Sequence, residues 1–267
     1  LIVHIATADQ LNQVAKAIPE AALTLALEFW PGPLTLVLKK QSIISDAVSS
    51  GKDTVAVRVP NHPLTLELLK RLDYPLAAPS ANPFGSISPT NAKHVRSYFE
   101  NHLELILDGG DCERGIESTI IGFENETPVL YRLGSLALEQ IEDKIGRVIV
   151  KNQNNDASPA SPGMLSRHYA PATTTYVTDE IEKLLKAHSD KKIGVLLFQH
   201  QLKTVVEHQE VLSTAGDLTE AAKNLYAALH RLDSMKLDLI IAEKLPDTGL
   251  GKTLNDKLKR ASKSANL

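Results

Sequence analysis

Residues 54–59 read Thr-Val-Ala-Val-Arg-Val, a short β-branched run, and Pro60-Asn61-His62-Pro63 follows at once. The run has strand composition; Asn61 suits a helix N-cap and Pro63 the first helical turn, so a helix is expected over 62–72. Pro75-Leu76-Ala77-Ala78 then supplies another short strand, expected to be buried. Toward the N-terminus, residues 20–30 form a helical run stopped by Pro31-Gly32-Pro33, and 34–38 (LTLVL) a strand. Toward the C-terminus, Ser88 is placed to cap a helix starting at Pro89-Thr90. Strands are expected over 105–107, 118–122 and 129–132, and a helix over 136–145. Strands separated by helices imply an α/β fold whose sheet is covered on at least one face.

Composition changes once. Lys151-Asn152-Gln153-Asn154-Asn155-Asp156, followed by Ser158-Pro159-Ala160-Ser161-Pro162-Gly163, cannot supply a core. Three regions follow: a first domain over 1–150, a linker over 151–172 and a smaller domain over 173–267. The last alternates strands (174–177, 192–198, 237–242) with helices (179–188, 218–232, 253–262). Right-handed crossovers then favour a small parallel, Rossmann-like sheet.

The chain has 267 residues and a net charge of −3, with 43% hydrophobic and 23% charged residues. That excludes wholesale disorder, collagen-like repeats and a supercharged nucleic-acid coat. No apolar run approaches the roughly 18 to 20 residues of a membrane span. A single cysteine, Cys112, cannot form an internal disulfide, and the cytoplasm is the expected compartment. Nine histidines lack metalloprotease spacing, no Gly-x-Ser-x-Gly elbow occurs, and no metal site is expected from protein side chains. Gly251-Lys252-Thr253 resembles a phosphate loop, but Pro246 stands where the first glycine belongs.

The stretch Ala77 to Thr90 (AAPSANPFGSISPT) is a strand end spilling into hydroxyl- and amide-rich chain that finishes at a helix start. Such a place gathers backbone N–H groups and a positive dipole end, suited to phosphate or carboxylate. The same residues also suit a solvated loop with a serine cap. Asp108-Gly109-Gly110, then Ser118-Thr119, allow a close backbone approach to a ligand. Arg58 and Arg132 sit among apolar neighbours, where a guanidinium needs an anionic partner or an outlet to water.

Phe29-Trp30-Pro31-Gly32-Pro33-Leu34-Thr35, Val55 to Pro60, Ala78-Pro79-Ser80-Ala81-Asn82, Ser118-Thr119 and Arg132 together resemble the YrdC-type L-threonylcarbamoyladenylate synthases. Ser161-Pro162-Gly163-Met164 with His168-Tyr169-Ala170-Pro171, and Gly249-Leu250-Gly251 with Asn255-Asp256 and Arg260-Ala261, are similar to the long form. That form carries a second, Rossmann-like domain after a YrdC-like twisted mixed sheet. The resemblance implies that threonine and bicarbonate form a carbamate, which attacks the α-phosphate of ATP and releases pyrophosphate. The product, threonylcarbamoyl-AMP, feeds threonylcarbamoyladenosine modification of tRNA.

Carried over by motif, His4, Arg58, the backbone at Ala78 and Ser118 would hold threonine or its carbamate. Thr54, Ser80, Asn82, Ser88, Arg132 and Tyr169 would hold the nucleotide, with Arg58, Ser80 and Asn82 nearest the chemistry and Mg2+ accompanying the ATP. Tyr169 on its linker would close over the cleft as a lid. A tRNA or tRNA-modification protein would act downstream. Relatives begin with a Pro-Thr-Glu-Thr-like strand and a Lys-x-Arg motif ahead of the Leu1-Ile2-Val3-His4 stretch. The expectation is therefore a truncated polypeptide that turns over ATP poorly. Two other readings of the class stand beside this one: a non-catalytic RNA-binding module, and a carbamoyltransferase using carbamoyl phosphate.

Overall fold

A computed structural model describes residues 1–100, 102–151 and 169–263. Along the first part of the chain run β1 (Ile2–His4), α1 (Leu11–Val14), β2 (Ala15–Lys16), α2 (Glu20–Phe29) and β3 (Leu34–Lys40). They are followed by α3 (Asp46–Ser49), β4 (Thr54–Arg58), α4 (Pro63–Arg71), β5 (Leu76–Ala78) and α5 (Ala92–Phe99). Next come β6 (Thr119–Glu124), β7 (Thr127–Arg132), α6 (Leu138–Ile145) and β8 (Ile149–Val150). The later part holds β9 (Thr175–Thr178), α7 (Ile181–Ala187), β10 (Ile193–Leu197) and β11 (His208–Val211). It closes with α8 (Leu218–Ser234), β12 (Leu239–Glu243) and α9 (Leu250–Ala261). The α/β class expected from the sequence is thus present, with one mixed and one parallel sheet.

Packing groups these elements into two units: Leu1–Pro79 with Glu117–Ser166, and Ser80–Ile116 with Arg167–Leu267. The segment 80–116 therefore belongs, by its contacts, with the later part of the chain.

In the first unit the strands run β5-β1-β4-β3-β6-β7-β8, with β2 added beside β3. The pairs β1–β4, β3–β6 and β7–β8 are parallel and β1–β5, β3–β4 and β6–β7 antiparallel. One face carries Val3, Leu34, Leu36, Leu38, Val55, Val57, Ile121 and Leu130, packed with Ala22, Leu25 and Ala26 of α2 and Ile141 of α6. Pro31-Gly32-Pro33 stops α2 as expected. The Gly32 N–H donates to the Val59 carbonyl at 2.9 Å, so the turn is tied to the end of β4. A Cβ on Gly32 would meet the Phe29 carbonyl oxygen at 2.2 Å.

The second unit carries an all-parallel sheet in the order β11-β10-β12-β9. Leu196, Ile240 and Ala242 pack with α8 and α9 on one face. Val195, Leu197, Leu239 and Ile241 pack with Ile181 and Leu184 of α7 on the other. A parallel sheet sandwiched in this way accounts for the continuous apolar run of β10.

Several local expectations are corrected. β5 is an edge strand with Ala77 exposed rather than a buried one, because among the described residues β1 alone pairs with it. Residues 105–107 form no strand, and Leu105 and Leu107 are exposed. Ser88 does not cap a helix: Asn91 caps α5, its side-chain oxygen accepting the His94 N–H at 3.0 Å. Likewise His62, not Asn61, holds the cap position of α4. The edge strand β11 carried no clear sequence signal: His208 to Val211 alternates no apolar pattern. Most of the linker, residues 152–168, lies outside the described residues.

Candidate active site

Register on the first sheet lines up one polar row. His4 of β1 pairs with Arg58 of β4. Leu36 pairs with Val57 in the antiparallel β3–β4 ladder, which sets Thr35 opposite Arg58. Thr35 in turn pairs with Ile120 of β6, and Ile120 with Arg132 of β7. Because side chains alternate across a strand, Thr35 and Arg58 point away from Leu34, Leu36, Val55 and Val57, and so away from the helix-covered core. At about 4.8 Å per strand, the row from His4 to Arg132 spans roughly 19 Å.

The centre of the row is a buried hydrogen-bonded cluster. Thr35 Oγ1 and Ser118 Oγ lie 2.7 Å apart, and both side chains are at most 2% exposed. Arg132 Nη2 donates to Ser118 Oγ at 3.0 Å, while its Nε and Nη2 donate to the Ser118 carbonyl at 3.0 and 2.9 Å. A guanidinium that is 7% exposed is tolerated here because oxygens meet its fork.

Arg132 reaches this face through a β-bulge. The register slips between Ile120 and Ile121, so that Ile121 opposes Leu130 and Ile120 opposes Arg132, leaving Tyr131 extra. Strict alternation from Leu130 would have turned Arg132 into the helix-covered core. The bulge re-aims it beside Ser118. Gly134 completes the fit: a Cβ there would meet the Ser118 carbonyl carbon and the Thr119 nitrogen at 2.3 Å.

Arg58 is half-buried, and its Nε donates to the Gly32 carbonyl at 2.9 Å. Next to it, burial and the Arg58 charge push His4 down to about 4, so the imidazole is neutral near pH 7. Thr54 shares a face with Arg58 but sits at the opposite end of β4, paired with Lys39. At about 3.3 Å per residue that is roughly 13 Å away. Ala78, paired with Ile2, lies on the edge strand β5.

The remaining sequence-derived residues belong to the second unit. Ser80 is exposed and its carbonyl accepts the Asn82 N–H at 3.0 Å. Asn82 Nδ2 donates to the carbonyls of Pro83 and Ser86, leaving Oδ1 buried with no hydrogen-bond partner among the described residues. Ser88 is buried. Tyr169, expected to meet a nucleotide, is 1% exposed, stacks on Tyr226 at 5.6 Å and bonds Lys257 Nζ through its hydroxyl at 3.3 Å.

Sequence reasoning missed Thr35, the Gly32 carbonyl and Gly134. A threonine inside LTLVL was the one available signal, since a hydroxyl at a central-strand position calls for a partner.

Residues 1–134 match the family model described as "Telomere recombination", and 136–263 match "Threonylcarbamoyl-AMP synthase, C-terminal domain". A threonylcarbamoyl-AMP synthase of Pyrococcus abyssi is 41% identical over 98% of this chain and 79% of its own length. One from Bacillus subtilis is 39% identical with the same coverages. The chain belongs to the threonylcarbamoyl-AMP synthase family. Membership makes it an ATP-using, adenylyl-transferring enzyme, a nucleotidyltransferase, as the sequence motifs implied. The crystal structure of P. abyssi Sua5 complexed with L-threonine superposes with a TM-score of 0.92 at 40% identity, covering 98% of this chain and 79% of that one. The family fold is therefore the fold of this chain, mixed sheet and parallel sheet alike.

Proposed function

We propose that this chain binds L-threonine, bicarbonate and ATP, and that the row from His4 to Arg132 is where the amino acid and its carbamate lie. The reaction is read as two steps. The threonine amine and bicarbonate give a carbamate with loss of water; a carbamate oxygen then bonds to the α-phosphorus while pyrophosphate leaves. Neither step needs a nucleophilic side chain, so positioning and charge neutralisation are what the protein must supply.

The observation that carries this reading is the Thr35–Ser118–Arg132 cluster. It brings a fixed guanidinium and two hydroxyls together on the face opposite the helix-covered core, beside a small buried apolar cluster of Val37, Ala56, Ile120, Val129 and Tyr131. Arg58 suits a carboxylate bidentately. Neutral His4 accepts or donates one hydrogen bond without adding a charge, and the open edge of β5 at Ala78 offers backbone groups. Thr54, Ser80, Asn82, Ser88 and Arg132 are assigned to the nucleotide. The orphaned Asn82 Oδ1 is an acceptor suited to a ribose hydroxyl or an adenine amine. Tyr169 is assigned as the anchor on which the linker re-enters the second unit, its hydroxyl already held by Lys257.

Among the described residues no group of three His, Cys, Asp or Glu side chains is placed to hold a metal. We assign Mg2+ to the ATP phosphates, with which it enters as part of the substrate. We place the enzyme in the cytoplasm, where one exposed cysteine stays reduced and the tRNA-modifying consumer of the product works. No helix among the described residues is long and apolar enough to cross a membrane.

The test is pyrophosphate release from ATP by the purified chain, with mass detection of threonylcarbamoyl-AMP. Slow release that depends on both L-threonine and bicarbonate is expected. Carbamoyl phosphate replacing them would establish the carbamoyltransferase reading. ATP-independent tRNA binding with a steep salt slope and no pyrophosphate would establish the RNA-binding one.

A further inference from the structure

Helix α8 belongs to the parallel-sheet unit, yet one stripe of it is turned onto the segment 80–116. Ala222, Tyr226 and His230 are spaced i, i+4, i+8 and so share a face. At the first level Gly115 lies against the helix so closely that a Cβ would meet the Ala222 and Lys223 carbonyl oxygens at 2.5 and 2.2 Å. At the second Tyr226 stacks on Tyr169, while Ile87 and Ile116 join the same apolar cluster. At the third His230 Nε2 lies 3.1 Å from the Ser88 carbonyl. A carbonyl oxygen only accepts, so His230 carries its proton on Nε2 and donates.

The neighbourhood fixes that ring. His94 of α5 stacks on His230 with centroids 3.8 Å apart and planes 22° apart, and Tyr98 lies tilted beside it at 5.6 Å. The Thr90 N–H donates to His94 Nδ1 at 3.2 Å, which keeps that nitrogen unprotonated. Burial holds both imidazoles below the ordinary histidine range, His94 at about 4. Tyr98 Oη donates to the Ile87 carbonyl at 3.0 Å and the Cys112 N–H to the Thr90 carbonyl at 2.8 Å. Three carbonyls of the Ile87–Thr90 stretch are thus held, and the Ser88 carbonyl is held by the second sheet's own helix.

We infer that His230 is a positioning residue for the nucleotide: through its hydrogen bond to the Ser88 backbone, α8 sets the loop that presents Ser80, Asn82 and Ser88. This deepens the proposed function and rests on the assignment of that loop to ATP. It also gives the parallel-sheet unit a task, as the rigid support of a binding loop that is contiguous in sequence with the first sheet.

The experiment compares the full chain with Ser88→Ala, His230→Phe and His230→Gln by equilibrium titration with ATP and, separately, with L-threonine. Phe keeps the stack on His94 and loses the donor; Gln restores an N–H near the Nε2 position. Expected are an ATP affinity about tenfold weaker in His230→Phe, threonine affinity within about twofold, and recovery of most of the ATP loss in His230→Gln. If Ser88→Ala weakens ATP and His230→Phe does not, the inference is overturned while the loop assignment stands. Equal weakening of both ligands without rescue by Gln makes His230 a general packing residue and also overturns it. If Ser88→Ala leaves ATP binding unchanged, the loop assignment falls and takes the inference with it. Should His230→Phe not fold, the Nε2 proton of the parent chain decides by magnetic resonance. A slowly exchanging signal that shifts on adding ATP supports the role, and a freely exchanging, unshifted one refutes it.

Discussion

The two sheets of this chain spend their faces differently. β10 and β12 of the parallel sheet are apolar on both sides, covered by α8 and α9 on one and α7 on the other. On the mixed sheet α2 and α6 cover one face, and the other carries a smaller buried apolar cluster of Val37, Ala56, Ile120, Val129 and Tyr131. That second face keeps a row of His4, Arg58, Thr35 and Arg132, with Ser118 bonded into it. A sheet apolar on both faces has little left for chemistry except its ends and its helices; a sheet whose second face mixes polar and apolar side chains has positions on it to equip.

That contrast breaks first, and most visibly, at Arg132. Arg132→Ala leaves the Ser118 carbonyl and hydroxyl without their buried donor. We expect about a hundredfold or greater loss of threonylcarbamoyl-AMP formation, with about 2–3 kcal/mol of unfolding stability lost. Arg132→Lys should recover little, since one ammonium does not replace a fork that bonds both oxygens. Pyrophosphate release and urea unfolding measure the two effects.

The opposite behaviour is expected from Ile240→Ala on the sealed sheet. Removing a fully buried side chain should cost about 3 kcal/mol by urea unfolding and leave the KM values for ATP and threonine near those of the parent. A change in KM without loss of stability would contradict the division of labour between the sheets.

A finer probe is Thr35→Val, which keeps the side-chain shape and removes the 2.7 Å bond to Ser118 Oγ. About a fivefold rise in the threonine KM is expected, with a stability change of about 1 kcal/mol. Steady-state kinetics at saturating ATP would read the first and thermal melting the second.

The smallest effect is a pH trend shared between the units. His4 on the mixed sheet and His94 in the second unit are both held near 4, and His230 is lowered as well, from an ordinary value of 6.5. The unfolded chain takes up protons below about 6.5 that the folded chain refuses, so stability falls as pH drops from there toward 4. Melting temperatures at pH 7.5 and 5 should show the loss, and His94→Gln should reduce it. A higher melting temperature at pH 5 would reverse the assigned direction.

Much of this was legible before any fold was known. Pro31-Gly32-Pro33 ends α2 because proline and glycine end helices locally, and the apolar runs of β3, β4 and β10 announce strands by composition. Arg58 and Arg132 stood out as guanidinium groups in apolar surroundings. What failed was equally local: Ser88 looked like a helix cap, and Leu105 to Leu107 like a strand. Both hold the right residue types, but a cap needs the helix to begin there, and a strand needs a neighbour to pair with.

Sequence alone established the α/β alternation and singled out the two arginines, because propensity and burial cost act over a few residues. Only the folded chain decided that Arg132 faces Ser118, that Thr35 joins them, and that His230 holds Ser88. Those contacts depend on strand register, on a one-residue bulge between Ile120 and Ile121, and on a helix more than a hundred residues downstream. Register and bulges are set by pairing between distant segments, and no window of neighbouring residues contains that information.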